Sequence, residues 1–323
     1  MFGLRVRRRA GRSRLRRSLV ATGVAAAAGA AVIAGAVPAS AAEPPTLAGA
    51  WAPLNRCPVD APAMLAADGA QTAALCLAAS GDSGTMQIGG KTVPVGKTDL
   101  QFGVTRAGST FTVVSPSGGA LSSAPVKVPG GLLNLMCPSD IPVISGICDR
   151  LADAKLNAIT AYVEPAGAPS QFNFVAGIGV DQPIVNLPIK IRLDNPILGS
   201  NCYLGSNSNP IVLRPANTTR PAVAPVRFDE DGTLDPAGQM GYVGASGADQ
   251  ADNTFSVPGA NGCGLFGALD WAVNLQLGLP SPAGENSFVL NSTQTAFGGH
   301  FTPLTFAPDQ GQRLSEHWHA AVR

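Results

Sequence analysis

Histidine is nearly absent from this chain: three residues in 323, at positions 300, 317 and 319. A serine or cysteine nucleophile activated by imidazole, or a zinc site built on it, therefore has little to draw on. The six cysteines include no Cys-x-x-Cys pair, which argues against thiolate metal centres and dithiol redox chemistry. No metal or other cofactor is expected. Charged residues make up only 13% of the chain and aromatics 6%. After position 41, 14 Lys and Arg residues stand against 21 Asp and Glu, a formal charge of −7. With no basic stripe in that stretch, nucleic acid is excluded as a partner.

The opening residues are of a different kind. Eight arginines lie between Arg5 and Arg17, an apolar Ala/Val/Gly run follows from Leu19 to Val37, and Ala39-Ser-Ala41 has the small residues of a cleavage site. Residues 1–41 thus read as a signal peptide, and the mature chain as secreted, with no membrane association after cleavage. The general secretory route is expected. Arg16-Arg17 leaves a twin-arginine exporter as an alternative, and an uncleaved anchor as another.

The remainder points to a mainly β fold of sandwich-like antiparallel sheets with a few short helices. Thirty-eight glycines and 27 prolines interrupt helices, while Val, Ile and Thr recur in short runs between turns. Residues 85–88 and 91–95 form a hairpin around Gly89-Gly90. Further strands are expected at 109–114, 158–164, 189–193, 211–213 and 287–291. Helical spacing appears at Ile144, Ile147, Leu151 and Ala154, and again at Phe266, Leu269, Val273 and Leu277.

An internal repeat accounts for several matches at once. Cys76 to Cys137 and Cys202 to Cys263 are both 61 residues apart, and a shift of 126 residues also puts Ser80 on Ser206 and Phe102 on Phe228. Val128-Pro-Gly130 and Val257-Pro-Gly259 follow with a small gap. Two tandem related halves, 42–178 and 179–301, with a flexible tail at 302–323, are the expected organisation. The repeat pairs Cys202 with Cys263 and Cys76 with Cys137, leaving Cys57 for Cys148. Nearest-neighbour pairing, Cys57 with Cys76 and Cys137 with Cys148, is the open alternative, since spacing does not fix connectivity. The Gly/Ser/Asn turns after Cys76 and Cys202 would then be equivalent, and Ser80, Asp82, Ser83, Ser206, Asn207 and Asn209 are the candidate binding-loop residues.

The motifs Asn55-Arg-Cys-Pro58, Ser115-Pro-Ser-Gly-Gly119, Leu193-Asp-Asn-Pro196, Gly199-Ser-Asn-Cys-Tyr-Leu-Gly-Ser206 and Gly278-Leu-Pro-Ser-Pro282 resemble those of an uncharacterised family of secreted proteins from Streptomyces and related actinobacteria. The resemblance implies export and no particular chemistry.

Two stretches imitate catalytic motifs. Phe228-Asp-Glu-Asp-Gly-Thr-Leu234 matches the opening of haloacid-dehalogenase-type phosphatases, with Asp229 as nucleophile and Asp231 as acid, but that chemistry needs a lysine downstream and the last one is Lys190. Pro221 and Pro225 also interrupt the approach to it. Asp229, Asp231 and Asp235 alternate as calcium ligands do, yet the glycine comes too early for an EF-hand loop. Gly81-Asp-Ser-Gly84 suggests a serine hydrolase, but no histidine precedes it. The expectation is a non-catalytic extracellular or cell-envelope-associated binding or structural protein with a cell-wall or other extracellular ligand. A hydrolase using Ser83, or Asp229 with Asp231, is the alternative.

Overall fold

Leu187-Pro-Ile-Lys-Ile-Arg-Leu-Asp194 shows the local rule that shapes most of this chain. Leu187, Ile189, Ile191 and Leu193 are buried and the residues between them are half-exposed, because successive strand side chains leave on opposite faces. In Ser83–Ile88 the same alternation buries Gly84, Met86 and Ile88.

The computed structural model describes residues 44–132, 157–300 and 304–323. A 3-10 turn (Gly49–Leu54, the entry turn) and a short helix α1 (Pro62–Leu65) lead into β1 (Thr72–Gly81), β2 (Ser83–Ile88), β3 (Lys91–Val95), β4 (Thr98–Ala107), β5 (Thr110–Val114), β6 (Leu121–Ser123) and β7 (Val126–Lys127). Next come β8 (Thr160–Pro165), α2 (Phe174–Ile178), β9 (Leu187–Asp194), β10 (Tyr203–Leu204), β11 (Ile211–Leu213), β12 (Ala216–Asn217), β13 (Ala222–Phe228), β14 (Met240–Asp252) and β15 (Ala260–Asn261). Helix α3 (Asp270–Leu277), β16 (Ser287–His300) and helix α4 (Gln310–Ala320) follow.

These strands form two antiparallel sheets. The larger has the order β12-β14-β16-β1-β4-β5, with β13 on β14, β6 on β4, and the β2–β3 hairpin on the first half of β16; the smaller has the order β15-β10-β9-β8-β7, with β11 on β9. Where the two sheets face each other, Met86, Ile88, Val95 and Phe288 of the larger pack on Ile189, Ile191, Leu204 and Ile211 of the smaller, as in a sandwich. Farther along, the larger sheet has its own covers. Phe172 and Val185 pack on Leu77, Phe102 and Phe297 on one face. On the other, Trp51, Leu54, Met64, Leu314 and Trp318 pack on Ala74, Cys76 and Met240.

Several expectations are corrected. Cys57 is bonded to Cys76, so the pairings Cys76–Cys137 and Cys57–Cys148 do not occur. Cys76 is buried in β1 beneath the segment that follows the entry turn, which places Cys57 directly over it. Cys202 is bonded to Cys263 as expected; Cys137, Cys148 and the helix expected at 144–154 lie outside the described residues. Positions matched by the 126-residue shift are not equivalent in space. Phe102 faces Phe172 on one side of the large sheet, and Phe228 faces Trp51 on the other. Nor do the sheets follow the division at residue 178, since β1 lies between β16 and β4.

Residues 310–320 form a helix and not a flexible tail. Its buried residues Gln310, Gly311, Leu314, Ser315 and Trp318 recur at helical spacing, but only two are large and apolar, so hydropathy does not mark the face. Helix α3 begins at Asp270, and Phe266, expected on its buried stripe, is almost fully exposed. A strand also runs through Pro225. It is tolerated because β13 pairs only with β14 and lies at an edge, where a missing N–H costs nothing.

Candidate functional site

Strand register lines up one face of the large sheet in rows. Phe228, Met240 and His300 form the first row, on β13, β14 and β16. Val226, Tyr242, Gly298, Cys76 and Gly103 form the second, with β1 and β4 added. The third is Ala224, Gly244, Ala296, Ala78 and Gln101; the fourth is Ala222, Ser246, Gln294, Ser80 and Asp99.

The first two rows are covered by the entry turn, α1 and α4. That close cover needs the small residues beneath it: a Cβ on Gly103 would lie 2.7 Å from the Met64 sulfur. The fourth row and the Ala224 and Gly244 end of the third are open, while Ala296, Ala78 and Gln101 are buried at their base. The two rows floor an open groove of about 610 Å³, walled by Ala52 and Pro53 of the entry turn, by Tyr242 and Val226, and by Lys97 at the far end. Five strands at ~4.8 Å spacing give it a length of ~19 Å.

The floor is flat because Ala224, Gly244, Ala296 and Ala78 carry almost no side chain. Polar groups stand along one border. Ser246 and Gln294 are exposed and Ser80 is half-buried, and among the described residues none of their side chains has a hydrogen-bond partner. The groove's one carboxylate, Asp99, is paired with Arg56. Arg56 donates to Asp99 Oδ2 from Nε at 3.0 Å and from Nη2 at 2.8 Å, while Gln101 Oε1 accepts from the Arg56 N–H at 2.8 Å and its Nε2 donates to Asn55 at 3.0 Å. Lys97 is exposed and, among the described residues, has no ion pair. Burial pushes the Tyr242 phenol up, so it stays a neutral hydroxyl. The groove therefore offers hydroxyls, an amide and an ammonium above a flat apolar floor, with the nearest negative charge already neutralised.

The covered end holds a second cluster, missed in the sequence because it was assigned to a flexible tail. All three histidines meet at helix α4. His300 Nε2 is 3.2 Å from His317 Nδ1, and His317 Nε2 is 3.3 Å from Glu230 Oε1. Gln310 Oε1 accepts from the Ala74 N–H at 2.7 Å and its Nε2 donates to the Ala74 carbonyl at 2.9 Å, with that same Nε2 3.5 Å from His300 Nδ1. On the next turn, Asp60 accepts from Ser315 Oγ at 2.6 Å and contacts His319 Nε2 at 2.9 Å. Burial raises the Asp60 carboxyl, but those two hydrogen bonds bring it below the usual range. Serine and histidine both address the aspartate here, so the histidine does not activate the serine.

Of the candidate binding-loop residues, Ser80 alone lies in the groove. Asp82 and Ser83 are exposed where β1 turns into β2, and the Ser83 hydroxyl meets Asn291 Nδ2 at 3.4 Å with no histidine beside it among the described residues. Ser206, Asn207 and Asn209 sit on the smaller sheet between β10 and β11. Their loop is closed on itself: Ser206 N–H donates to the Asn209 carbonyl at 3.0 Å and Asn209 N–H to Ser206 Oγ at 3.0 Å.

The acidic run is a turn joining the antiparallel pair β13 and β14, whereas the phosphatase motif ends a parallel strand. Asp231 accepts from the Thr233 N–H at 2.8 Å, which lowers its carboxyl. Slight burial, with Asp235 and Asp231 nearby, raises that of Asp229. Among the described residues no three His, Cys, Asp or Glu side chains are grouped to hold a metal ion, and no helix is long and apolar enough to cross a membrane.

No family model matches the chain, and no curated protein matches it. Among solved structures it is similar to the structure of DynF from the dynemicin biosynthesis pathway of Micromonospora chersina, at 14% identity over 72% of this chain and 82% of that one. The TM-score is 0.19, too low to carry an argument about fold or chemistry.

Proposed function

We propose that this chain is a non-catalytic extracellular or cell-envelope-associated binding protein, and that the groove holds an extended, neutral, polyhydroxylated chain such as a cell-wall glycan. The observation that carries this reading is the border of unpartnered polar side chains, Ser246, Gln294 and Ser80 with Lys97 beyond them, along a floor of Gly244, Ala296 and Ala78. Hydroxyls and amides exchange their water for a ligand's hydroxyls at little net cost, and a flat apolar floor accepts the C–H face of a ring. An anionic polymer would meet a chain that is acidic after residue 41 and a groove lined by a single lysine, Lys97. A peptide would find no recess for side chains, and the nearby edge of β13 lacks an N–H at Pro225. The two disulfides among the described residues suit an oxidising compartment.

The test is co-sedimentation of the purified protein with washed, protein-stripped cell wall, and titration with neutral hexasaccharides, cellohexaose and chitohexaose. Wild type should bind one of these. Gln294→Ala should weaken binding about tenfold, the loss of one or two hydrogen bonds, and Ala224→Trp, at an exposed position of the groove, should abolish it. Equal binding by Ala224→Trp and wild type, or none by wild type, overturns the groove as the site.

A further inference from the structure

The hydrogen bonds at α4 form a chain whose direction is set by backbone. Because Gln310 Oε1 accepts from the Ala74 N–H, the other terminal atom of that amide is its NH2. His300 Nδ1 faces this NH2 and is therefore an acceptor, which puts the His300 proton on Nε2. That N–H points at His317 Nδ1, so His317 carries its own proton on Nε2, where Glu230 accepts it. In this arrangement neither ring keeps a nitrogen free for a second proton. A proton on His300 Nδ1 would oppose the Gln310 NH2, and one on His317 Nδ1 would oppose the His300 N–H.

The chain braces the wall of the groove. Glu230, its acceptor end, also holds Trp51 of the entry turn, whose Nε1 donates to the Glu230 carbonyl at 3.0 Å. From α4, Trp318 Nε1 donates to the Leu54 carbonyl at 2.9 Å. Gly49 and Gly232 meet so closely that a Cβ on Gly49 would lie 2.1 Å from the Gly232 oxygen. The entry turn that presents Ala52 and Pro53 to the groove is thus suspended between α4 and the turn carrying Glu230.

We propose that this histidine chain is an acid-sensitive latch: protonation undocks α4 from β16, loosens the entry turn, and releases whatever the groove holds. The last step rests on the groove reading above; the undocking does not. The charged groups facing the pair are Glu230 from the β13–β14 turn, and Arg313, Asp309 and Glu316 from α4 and its lead-in. Arg313 is occupied by Asp309 at 2.6 Å, so Glu230 is the one carboxylate contacting an imidazole of the pair. It touches His317 and not the more deeply buried His300. Burial first, then His317 and Arg313, push His300 down to about 4. A group depressed in the docked state favours docking at neutral pH and loses that advantage as pH falls from its free value toward the docked one. Asp60, which faces the next turn of α4, is raised by burial but brought below the usual carboxylate range by its Ser315 and His319 contacts, so it keeps its charge from pH 7 to pH 5.

Hydrogen exchange of the full chain tests this without any ligand. After correction for intrinsic exchange, opening of residues 49–54 and 310–320 should rise about twentyfold from pH 7 to pH 5, the change that a free value of 6.5 and a docked value of about 4 imply. His300→Gln, and His317→Gln as an independent variant, should cut that rise to under about threefold; His319→Gln should retain it. Titration of cellohexaose and chitohexaose at both pH values reads the groove. Exchange that rises with no hexasaccharide bound sinks the groove and leaves the latch. Wild-type exchange that is flat in both segments, or a rise of equal size in His300→Gln and His317→Gln, overturns the latch.

Discussion

The two ends of one sheet face share strands, register and small side chains, yet one is sealed and the other open. At the sealed end, Gly103 lets Met64 approach while Trp51 and Trp318 pack over Ala74 and Cys76, and the polar atoms introduced with them are used: Trp51 and Trp318 donate to carbonyls and Gln310 pairs with both backbone atoms of Ala74. At the open end Ala224 and Gly244 give a low floor continuous with the buried Ala296 and Ala78, and the side chains of Ser246, Gln294 and Ser80 have no hydrogen-bond partner among the described residues. A row of small residues in a sheet permits close approach by something. Whether that is the protein's own helix or a ligand depends on what the rest of the chain can reach.

The comparison is most easily broken at the sealed end. Trp51→Ala removes a fully buried indole that meets Phe228 edge-on at 5.2 Å. It should cost about 3–5 kcal/mol, as large-to-small core changes do, measured by urea unfolding. Replacing Cys57 and Cys76 together by alanine opens a link of sequence separation 19 and should cost about 3 kcal/mol, with a matching drop in urea midpoint. Removing Cys202 and Cys263 should cost more, because that loop is longer, a separation of 61; the reverse order would mean that strain or denatured-state structure dominates.

Acid should act on the sealed end alone. With His300 depressed to about 4, stability is fully present above its free value of 6.5 and falls as pH goes from there toward 4, by on the order of 3 kcal/mol. Unfolding midpoints at pH 7 and pH 4 measure this, with His300→Gln as the flattened reference. The smallest effects belong to the open end. Gln294→Ala and Ser246→Ala, both at exposed positions, should change stability by under about 0.5 kcal/mol while weakening glycan binding. A large stability loss there would show that those side chains support the fold and leave the groove without its polar border.

Much of the strand pattern was legible beforehand. The hairpin around Gly89-Gly90 and the strand at 211–213 stand where they were expected, and the strand expected at 189–193 runs over 187–194. The long strands β1, β14 and the second half of β16 were not recognised, because Ala, Gly, Ser and Cys occupy the positions where alternation would need Val or Ile. That same smallness is the trace of the groove: Ala74-x-Cys76-x-Ala78-x-Ser80 and Tyr242-x-Gly244-x-Ser246 are period-two runs of small or polar residues, and Ser80 was picked out for another reason. Helix α4 escaped because two large apolar residues in eleven do not make a stripe.

Signals that repeat every second residue are local, and so the strands, the turns, the net charge after residue 41 and the scarcity of histidine could be read directly from the order of amino acids. Which strands become neighbours is a choice among contacts distant in the chain, settled by the burial that all of them achieve together. That choice gave Cys57 to Cys76, brought residues near 80, 224, 244 and 296 into a single floor, and gathered the chain's three histidines around one helix. Linear spacing carries none of these, because each depends on segments that meet only when the sheets close.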